Sequence, residues 1–114
     1  ARGPVMRERV ARMRHLADWQ IENLPNGEPV VYVGKEGDNS KLIVAGASYL
    51  ARRGVGFVDV VEGRRPTMPP ATSHVLVTRE EFALWDNSRA SAGEIEGLIW
   101  CRPVEGLAQV SEQR

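Results

Sequence analysis

The sequence has few of the residues that build disulfides or metal sites. It contains one cysteine, Cys101, and two histidines, His15 and His74. A single cysteine excludes an intramolecular disulfide and is typical of a reducing compartment, which predicts a cytoplasmic location. Neither Cys-x-x-Cys nor His-x-x-x-His occurs, and the two histidines fall on different predicted elements. We therefore predict no metal ligands and no cofactor.

An excess of charge and long apolar runs are also missing. The chain has 15 basic and 15 acidic residues, so its formal net charge is zero. This balance disfavours a protein that binds nucleic acid non-specifically, where a basic excess is expected. The longest apolar run, residues 42–47, is far shorter than the roughly 18 residues of a membrane span. The N-terminus lacks the apolar segment of a secretory signal, and we expect no contact with a membrane.

Catalytic motifs are absent too. The sequence contains no Walker A pattern, no Gly-x-Gly-x-x-Gly and no Gly-x-Ser-x-Gly, the patterns that mark common nucleotide and acyl-transfer sites. Cys101 lies in an apolar strand pattern, which indicates a core residue rather than a nucleophile. Ser73 and His74 are neighbours, and neighbours on a strand point to opposite faces. We predict no catalytic residues, and the balance is against an enzyme.

The length of 114 residues suits one domain, predicted over 1–114, with enough core to fold alone. The opening residues Ala-Arg-Gly-Pro resemble a leader left by cloning, so 1–5 are expected to be foreign to the native chain. Residues 63–73, GRRPTMPPATS, are rich in proline and predict a long loop that is mobile or functional. The tail 108–114 is expected to be frayed.

An amphipathic helix is predicted over residues 5–24. Its apolar stripe recurs at helical spacing, and Asn26-Gly27 ends it with a turn. The stripe consists of Met6, Val10, Met13, Ala17, Ile21 and Leu24. Arg12 lies in a locally basic stretch, and Trp19 lies off the stripe, where it either covers the edge of the core or contacts another chain.

The stretch 28–63 is predicted to organise the fold. A strand over 29–33 is followed by a glycine-containing loop, and another strand covers 56–61. The residues between them allow two interpretations: one helix over about 41–53, or a strand pairing with 29–33 in a hairpin before a short helix. Length and end signals favour the full helix. Residues 29–61 then form a βαβ unit.

The second half predicts a strand over 74–78, a helix over 79–86 and a strand over 97–102. Thr78 and Glu81 have the spacing of a capping box at the start of that helix. The resulting fold class is α/β or α+β, with an N-terminal amphipathic helix and a small mixed sheet of about four strands. The sequence does not determine the strand order.

The loop from Gly34 to Lys41 is the best candidate for binding a small molecule. It precedes a predicted helix N-terminus, which attracts anions, although Glu36 and Asp38 oppose one. The candidate ligand-binding residues, for a phosphorylated or anionic molecule, are Gly34, Lys35, Gly37, Ser40, Lys41 and His74.

Three functions follow as hypotheses. The first is a non-enzymatic binding or adaptor protein acting through protein contacts, with a homodimer as one form; its candidate partner-binding residues are Arg12, Trp19, Arg64 and Arg65. The second is a ligand-binding domain or small enzyme that uses the 34–41 loop. The third is a nucleic-acid-binding regulator that uses the arginines of the first helix, which the neutral net charge disfavours.

Overall fold

The fold is given by a computed structural model, which describes residues 3–85 and 90–103. The elements are helix α1 (Pro4–Asn23), strand β1 (Val30–Lys35), helix α2 (Asn39–Leu50), strand β2 (Val55–Val60), strand β3 (His74–Thr78), helix α3 (Arg79–Ala83), strand β4 (Ser91–Ile95) and strand β5 (Leu98–Cys101). The predicted frayed tail 108–114 and the first two residues of the predicted leader lie outside the described residues.

The strands form one mixed sheet in the order β2-β1-β3-β5-β4. β1 pairs in parallel with both β2 and β3, whereas β5 runs antiparallel to β3 and β4. The predicted N-terminal helix and mixed sheet are confirmed, and the segregation of parallel and antiparallel pairs places the fold in the α+β class. The parallel pair β1–β2 is joined by α2, so the predicted βαβ unit is present.

Helix α2 decides between the two interpretations of residues 41–53. It runs Asn39–Leu50, so the helix is confirmed and the hairpin is wrong. It ends in a Schellman motif, in which Arg53 N–H donates to the Ser48 carbonyl at 2.9 Å and Arg52 N–H to the Tyr49 carbonyl at 3.1 Å. The left-handed residue of the motif is Arg52, with φ 55°.

Strand β4 was not predicted, and it brings the strands of the described residues to five. Its sequence, SAGEI, is small and polar, so it has no apolar alternation. A two-residue turn at Glu96 and Gly97, with φ 51° and 77°, joins it to β5 in the manner of a type I′ hairpin. These residues therefore form a strand because they pair with β5, and their own pattern does not indicate one. Helix α3 is shorter than predicted and ends at Ala83.

The two faces of the sheet are covered unequally. The first face packs against α1 and α2, and its core contains Leu16, Ala17, Leu24, Val30, Tyr32, Ile43, Val44, Ala47, Leu76, Ile95, Leu98 and Trp100. The second face carries a smaller buried cluster of Val33, Val75, Val77, Ile99 and Cys101. Among the described residues, two long helices cover the first face, whereas the five-residue α3 and part of the 61–73 connection lie over the second.

The buried face of α1 differs from the predicted stripe. Leu16, Ala17 and Gln20 are buried, whereas Ile21 is 60% exposed and Met6 42% exposed. Gln20 is accommodated because its amide donates to the Ser48 hydroxyl at 3.2 Å across the contact between the two helices. The buried face of α1 therefore includes a glutamine, which the apolar pattern of the sequence does not indicate. Across the described residues, no helix has the length and apolarity needed to cross a membrane.

Candidate functional site

The predicted ligand loop lies at the carboxyl end of β1. β1 lies between β2 and β3 in the sheet. From β1 the chain passes through α2 to β2 on one side, and the 61–73 connection then leads from β2 to β3 on the other side. Such a reversal is where ligands bind in many open α/β sheets. Gly37 has φ 83° and forms the turn, while Lys35 and Gly37 are exposed. The loop therefore joins the end of β1 to the start of α2, and ligand binding by it stays a prediction.

The electrostatics of this loop oppose the predicted anionic ligand. Burial, followed by the charges of Asp38, Asp59 and Glu80, raises the pKa of Tyr32 beneath the loop to about 12. The Ser40 hydroxyl acts in the opposite direction, although its geometry falls short of a hydrogen bond. Lys41 is not available to a ligand, because its Nζ lies 2.8 Å from an Asp59 carboxylate oxygen. The carboxylates near this loop, Glu36, Asp38, Asp59 and Glu80, outnumber its two ammonium groups, those of Lys35 and Lys41.

His74 lies at the opposite end of the sheet from the loop. It pairs in register with Val30, the first residue of β1, so it is four residues, or about 13 Å, from the position of Gly34 along the strand. Its Nε2 lies 3.0 Å from an Oε2 of Glu28. The predicted ligand residues are therefore divided: Gly34, Lys35, Gly37, Ser40 and Lys41 share one edge, and His74 belongs to another cavity.

Two of the predicted partner-binding residues are engaged within the protein. Arg12 Nε donates to a Glu96 carboxylate oxygen at 2.8 Å, which ties α1 to the β4–β5 turn. Trp19 is half-buried and meets Trp100 edge-on, with ring centroids 4.9 Å apart. These contacts favour the interpretation in which Trp19 covers the edge of the core over the one in which it contacts another chain.

Arg64 and Arg65, the other two predicted partner-binding residues, line a groove on the second face of the sheet. This second-face groove encloses about 620 Å³ between the 60–68 segment and the end of α3. Its apolar residues are Val60, Val61, Pro66, Met68, Leu84 and Trp85, and its remaining lining residues are Glu62, Gly63, Arg64, Arg65 and Glu81. Both arginines are exposed, and neither forms an ion pair with the described residues.

Local sequence signals build part of this groove. Thr78 Oγ1 accepts the Glu81 N–H at 3.4 Å, so the predicted cap starts α3 as expected. Glu81 is buried, and its carboxylate accepts from Trp85 Nε1 at 3.3 Å. That bond holds the indole at one wall of the groove. Leu84, between these residues, is 78% exposed.

Sequence reasoning did not find the groove or the roles of Glu28, Leu84 and Trp100. The exposed apolar residues of the groove are scattered over three segments, so no periodic pattern announces them. Within the described residues, no group of three or more His, Cys, Asp or Glu side chains is placed to hold a metal ion. Cys101 is fully buried in the second-face cluster, as a core residue would be.

Comparison with known proteins gives no relative: no family model matches the sequence, and no curated protein or solved structure does.

Proposed function

We propose that this protein is a non-enzymatic binding module, which holds an apolar and acidic segment of a partner protein in the second-face groove. The observation that carries the proposal is the exposure of Leu84, 78%, beside the half-exposed Val61 and Met68, on the face of the sheet that the described elements cover less. We place the protein in the cytoplasm, since a single cysteine is typical of a reducing compartment.

Clustered exposed apolar residues favour an interaction surface. Single exposed apolar side chains are normal on proteins, but a contiguous set beside a concave surface marks a binding site more often. Leu84, Met68 and Val61 belong to different segments and line one groove. Trp85 supplies a large, oriented aromatic wall, and buried aromatic residues often carry much of the binding energy at interfaces.

The charge at the rim indicates an acidic partner. Arg64 and Arg65 are exposed and lack ion pairs within the described residues. Glu81 is buried and its carboxylate is bonded to the Trp85 indole, which leaves Glu62 as the exposed carboxylate of the lining. Among the described lining residues, the exposed charges are two guanidinium groups and one carboxylate, a balance that favours Asp or Glu flanking the apolar residues of the partner.

A second copy of this chain is the alternative partner. β2 lies at the edge of the sheet, and a smaller cavity of about 320 Å³ along it shares Val61, Arg64 and Arg65 with the groove. Edge strands can pair with another chain. In a homodimer, the groove and this edge would form one continuous contact.

The test is selection from a displayed library of random peptides, followed by affinity measurement. We expect the selected peptides to combine apolar and acidic residues, and Leu84→Asp to weaken them by about 30-fold, the effect of an interface hot spot. The double variant Arg64→Glu, Arg65→Glu should also lower the affinity for these peptides, and the loss should be larger at low salt than at high salt. Ile21→Asp is the matched control, because Ile21 is 60% exposed on α1, away from the groove.

Light scattering on the wild type and Leu84→Asp distinguishes the two partners. A dimer that Leu84→Asp dissociates would assign the groove to a second copy. Peptides that bind Leu84→Asp as well as the wild type, together with a monomer at all concentrations, would refute the proposal. Circular dichroism must show that each of the three variants, including the control Ile21→Asp, melts as cooperatively as the wild type.

A further inference from the structure

The outer edge of β2 carries backbone groups that the described residues do not pair. Val30 N–H donates to the Gly54 carbonyl at 3.0 Å, so β1 takes up the backbone groups of the even-numbered residues of β2. Backbone groups point alternately to the two sides of a strand. Those that point away from β1 belong to Val55, Phe57 and Asp59. Among the described residues, none of these outward N–H and C=O groups takes part in a hydrogen bond.

β2 also lacks the features that protect edge strands. It pairs with β1 over six consecutive residues without a bulge, and it contains neither proline nor lysine. Its one charged residue, Asp59, is paired with Lys41 Nζ at 2.8 Å. The strand at the other edge, β4, has a register shift between Ser91 and Gly93 and an exposed Glu94. Bulges and charges are what blunt natural edges, so the edge of β2 is the one suited to pairing with another strand.

A cavity of about 320 Å³ follows this edge, between β2 and the segment 64–67. This edge cavity includes Phe57, which is 40% exposed. Among the described residues, no backbone hydrogen bond joins the segment 64–67 to β2. The edge cavity shares Val61, Arg64, Arg65 and Pro66 with the second-face groove. A chain lying along β2 can therefore continue into that groove without a break.

The charges of the edge cavity favour an acidic strand over a second copy of this chain. Asp59 is the one carboxylate of the described lining, and it is paired with Lys41. Arg64 and Arg65 are exposed and form no ion pair with the described residues. Two-fold pairing of β2 with itself would bring the arginines of both copies to one interface, where like charges oppose association. An extended segment with Asp or Glu on the side of the arginines meets attraction instead.

We propose that the partner segment binds in extended form, as a strand added to the edge of the sheet along β2. Its backbone pairs with Val55, Phe57 and Asp59, and its acidic side chains meet Arg64 and Arg65. In strand addition of this kind, backbone hydrogen bonds supply affinity and alternate side chains supply specificity. The inference rests on the proposed function, because it states how the segment held in the second-face groove is bound.

The test uses a capped hexapeptide of alternating glutamate and valine, and NMR of the isotope-labelled full chain. With this peptide at saturation, we expect amide hydrogen exchange at Val55, Phe57 and Asp59 to slow by at least about tenfold. Val58 is the internal control, because its N–H already faces β1 and its exchange should not change. A hexapeptide of alternating lysine and valine should bind at least about tenfold more weakly.

Methylation of the peptide backbone separates strand pairing from side-chain binding. One glutamate–valine peptide is N-methylated at its glutamates and another at its valines, so both keep every side chain. Since alternate N–H groups of an added strand face β2, we expect one of the two to lose at least about tenfold in affinity and the other to keep it. Full affinity in both peptides would overturn the proposal.

Phe57→Pro removes one outward N–H at an edge position, where a strand tolerates proline. We expect it to weaken the glutamate–valine peptide by at least about tenfold, whereas the matched control Phe57→Val keeps the N–H and should bind as the wild type does. Full affinity in a cooperatively melting Phe57→Pro would contradict strand addition. If that variant does not fold, amide exchange in the wild type decides.

The outcomes separate this inference from the proposed function. Peptides whose affinity depends on Leu84, but which leave exchange at Phe57 and Asp59 unchanged, would overturn strand addition and keep the groove as the binding site. Slowed exchange at these residues, with an affinity that Leu84→Asp does not alter, would support strand addition and refute the groove. Slow exchange in the free chain that becomes faster on dilution would assign the edge to a second copy and overturn the proposal.

Discussion

The Tyr32 ring lies directly beneath Gly34, so that a Cβ added at Gly34 would come within 2.6 Å of Tyr32 Cζ. The two residues are two positions apart on β1, so both lie on its first face. The absence of a side chain at Gly34 is therefore required by packing within the protein. The sequence alone had suggested that this glycine lets a ligand approach the backbone.

Gly34→Ala tests this packing role. The added methyl would meet a fully buried aromatic ring, which cannot move aside as a flexible side chain would. We expect a loss of about 2–3 kcal/mol in the free energy of unfolding, measured by urea denaturation. Gly56→Ala on β2 is the control, since its Cβ would lie 3.8 Å from Val31 Cγ2, an ordinary contact. Equal losses in the two variants would contradict the packing explanation.

Tyr32 makes the free energy of unfolding depend on pH in the alkaline range. Its pKa in the folded state is about 12, above the ordinary tyrosine value of 10.0, because of burial and the nearby carboxylates. The folded state therefore retains the phenolic proton after the unfolded chain loses it. The contribution of Tyr32 is complete below pH 10 and is lost as the pH rises toward 12, with a slope of up to about 1.4 kcal/mol per pH unit.

Tyr32→Phe should remove this slope in urea denaturation between about pH 9 and 11.5. At neutral pH the variant should be as stable as the wild type or about 1 kcal/mol more stable, because the buried hydroxyl has no partner among the described residues. Tyr49→Phe is the control, since Tyr49 is 83% exposed. A slope that survives in Tyr32→Phe and vanishes in Tyr49→Phe would show that the assignment is wrong.

Glu96 links the β4–β5 turn to α1 and contributes to stability above acidic pH. Burial raises the pKa of Glu96, but hydrogen bonds and charges from His15 and Arg12 outweigh it, and the pKa lies below its ordinary value. Its carboxylate oxygens lie 2.6 Å from His15 Nδ1 and 2.8 Å from Arg12 Nε. Because the folded pKa is lowered, the contribution is present above the unfolded pKa and is lost as the pH falls through the folded value.

Glu96→Gln should therefore cost about 1–2 kcal/mol at pH 7 and progressively less in acid. The comparison is made by urea denaturation from neutral to acidic pH. Glu94→Gln is the control, because Glu94 pairs with Arg79 on an exposed surface, where ion pairs contribute at most about 1 kcal/mol. A cost for Glu96→Gln that is the same at every pH would exclude the ionic explanation.

Arg53 ties the end of α1 to the start of β1. Its guanidinium donates to the carbonyl oxygens of Pro25 at 2.8 Å, Glu28 at 2.5 Å, Gln20 at 3.3 Å and Leu24 at 3.5 Å. Burial lowers the pKa of Arg53, and the Glu28 carboxylate partly offsets this. The four carbonyl oxygens stabilise the positive charge of the guanidinium. They lose their hydrogen-bond donor if the guanidinium is removed.

Arg53→Lys keeps the charge but cannot reproduce the fork of donors. We expect a loss of about 2–4 kcal/mol in the free energy of unfolding. Arg52→Lys, at the neighbouring exposed position, should change it by less than about 0.5 kcal/mol. If Arg53→Lys is equally harmless, the carbonyl oxygens are satisfied in another way and the guanidinium is not structural.

Most elements were predictable because their signals are local. The capping residue Thr78, the turn at Asn26-Gly27 and the length of the 40–53 window all act on the nearby backbone. They led to α1, α2, the start of α3 and four of the strands. β4 was missed because its residues carry no apolar alternation; pairing with β5 through the Glu96-Gly97 turn makes it a strand.

The composition and local patterns of the sequence thus determined most of the elements and favoured the βαβ unit and a mixed sheet. Only the tertiary structure decided which polar residues meet, as when His74 pairs with Glu28, 46 residues away, and Arg12 with Glu96, 84 residues away. It also divided the predicted ligand residues between two edges and, among the described residues, gave the second face less cover than the first. The physical reason is that backbone preferences are set by neighbours in the chain, whereas cavities and charge pairs depend on how completely distant segments cover one another.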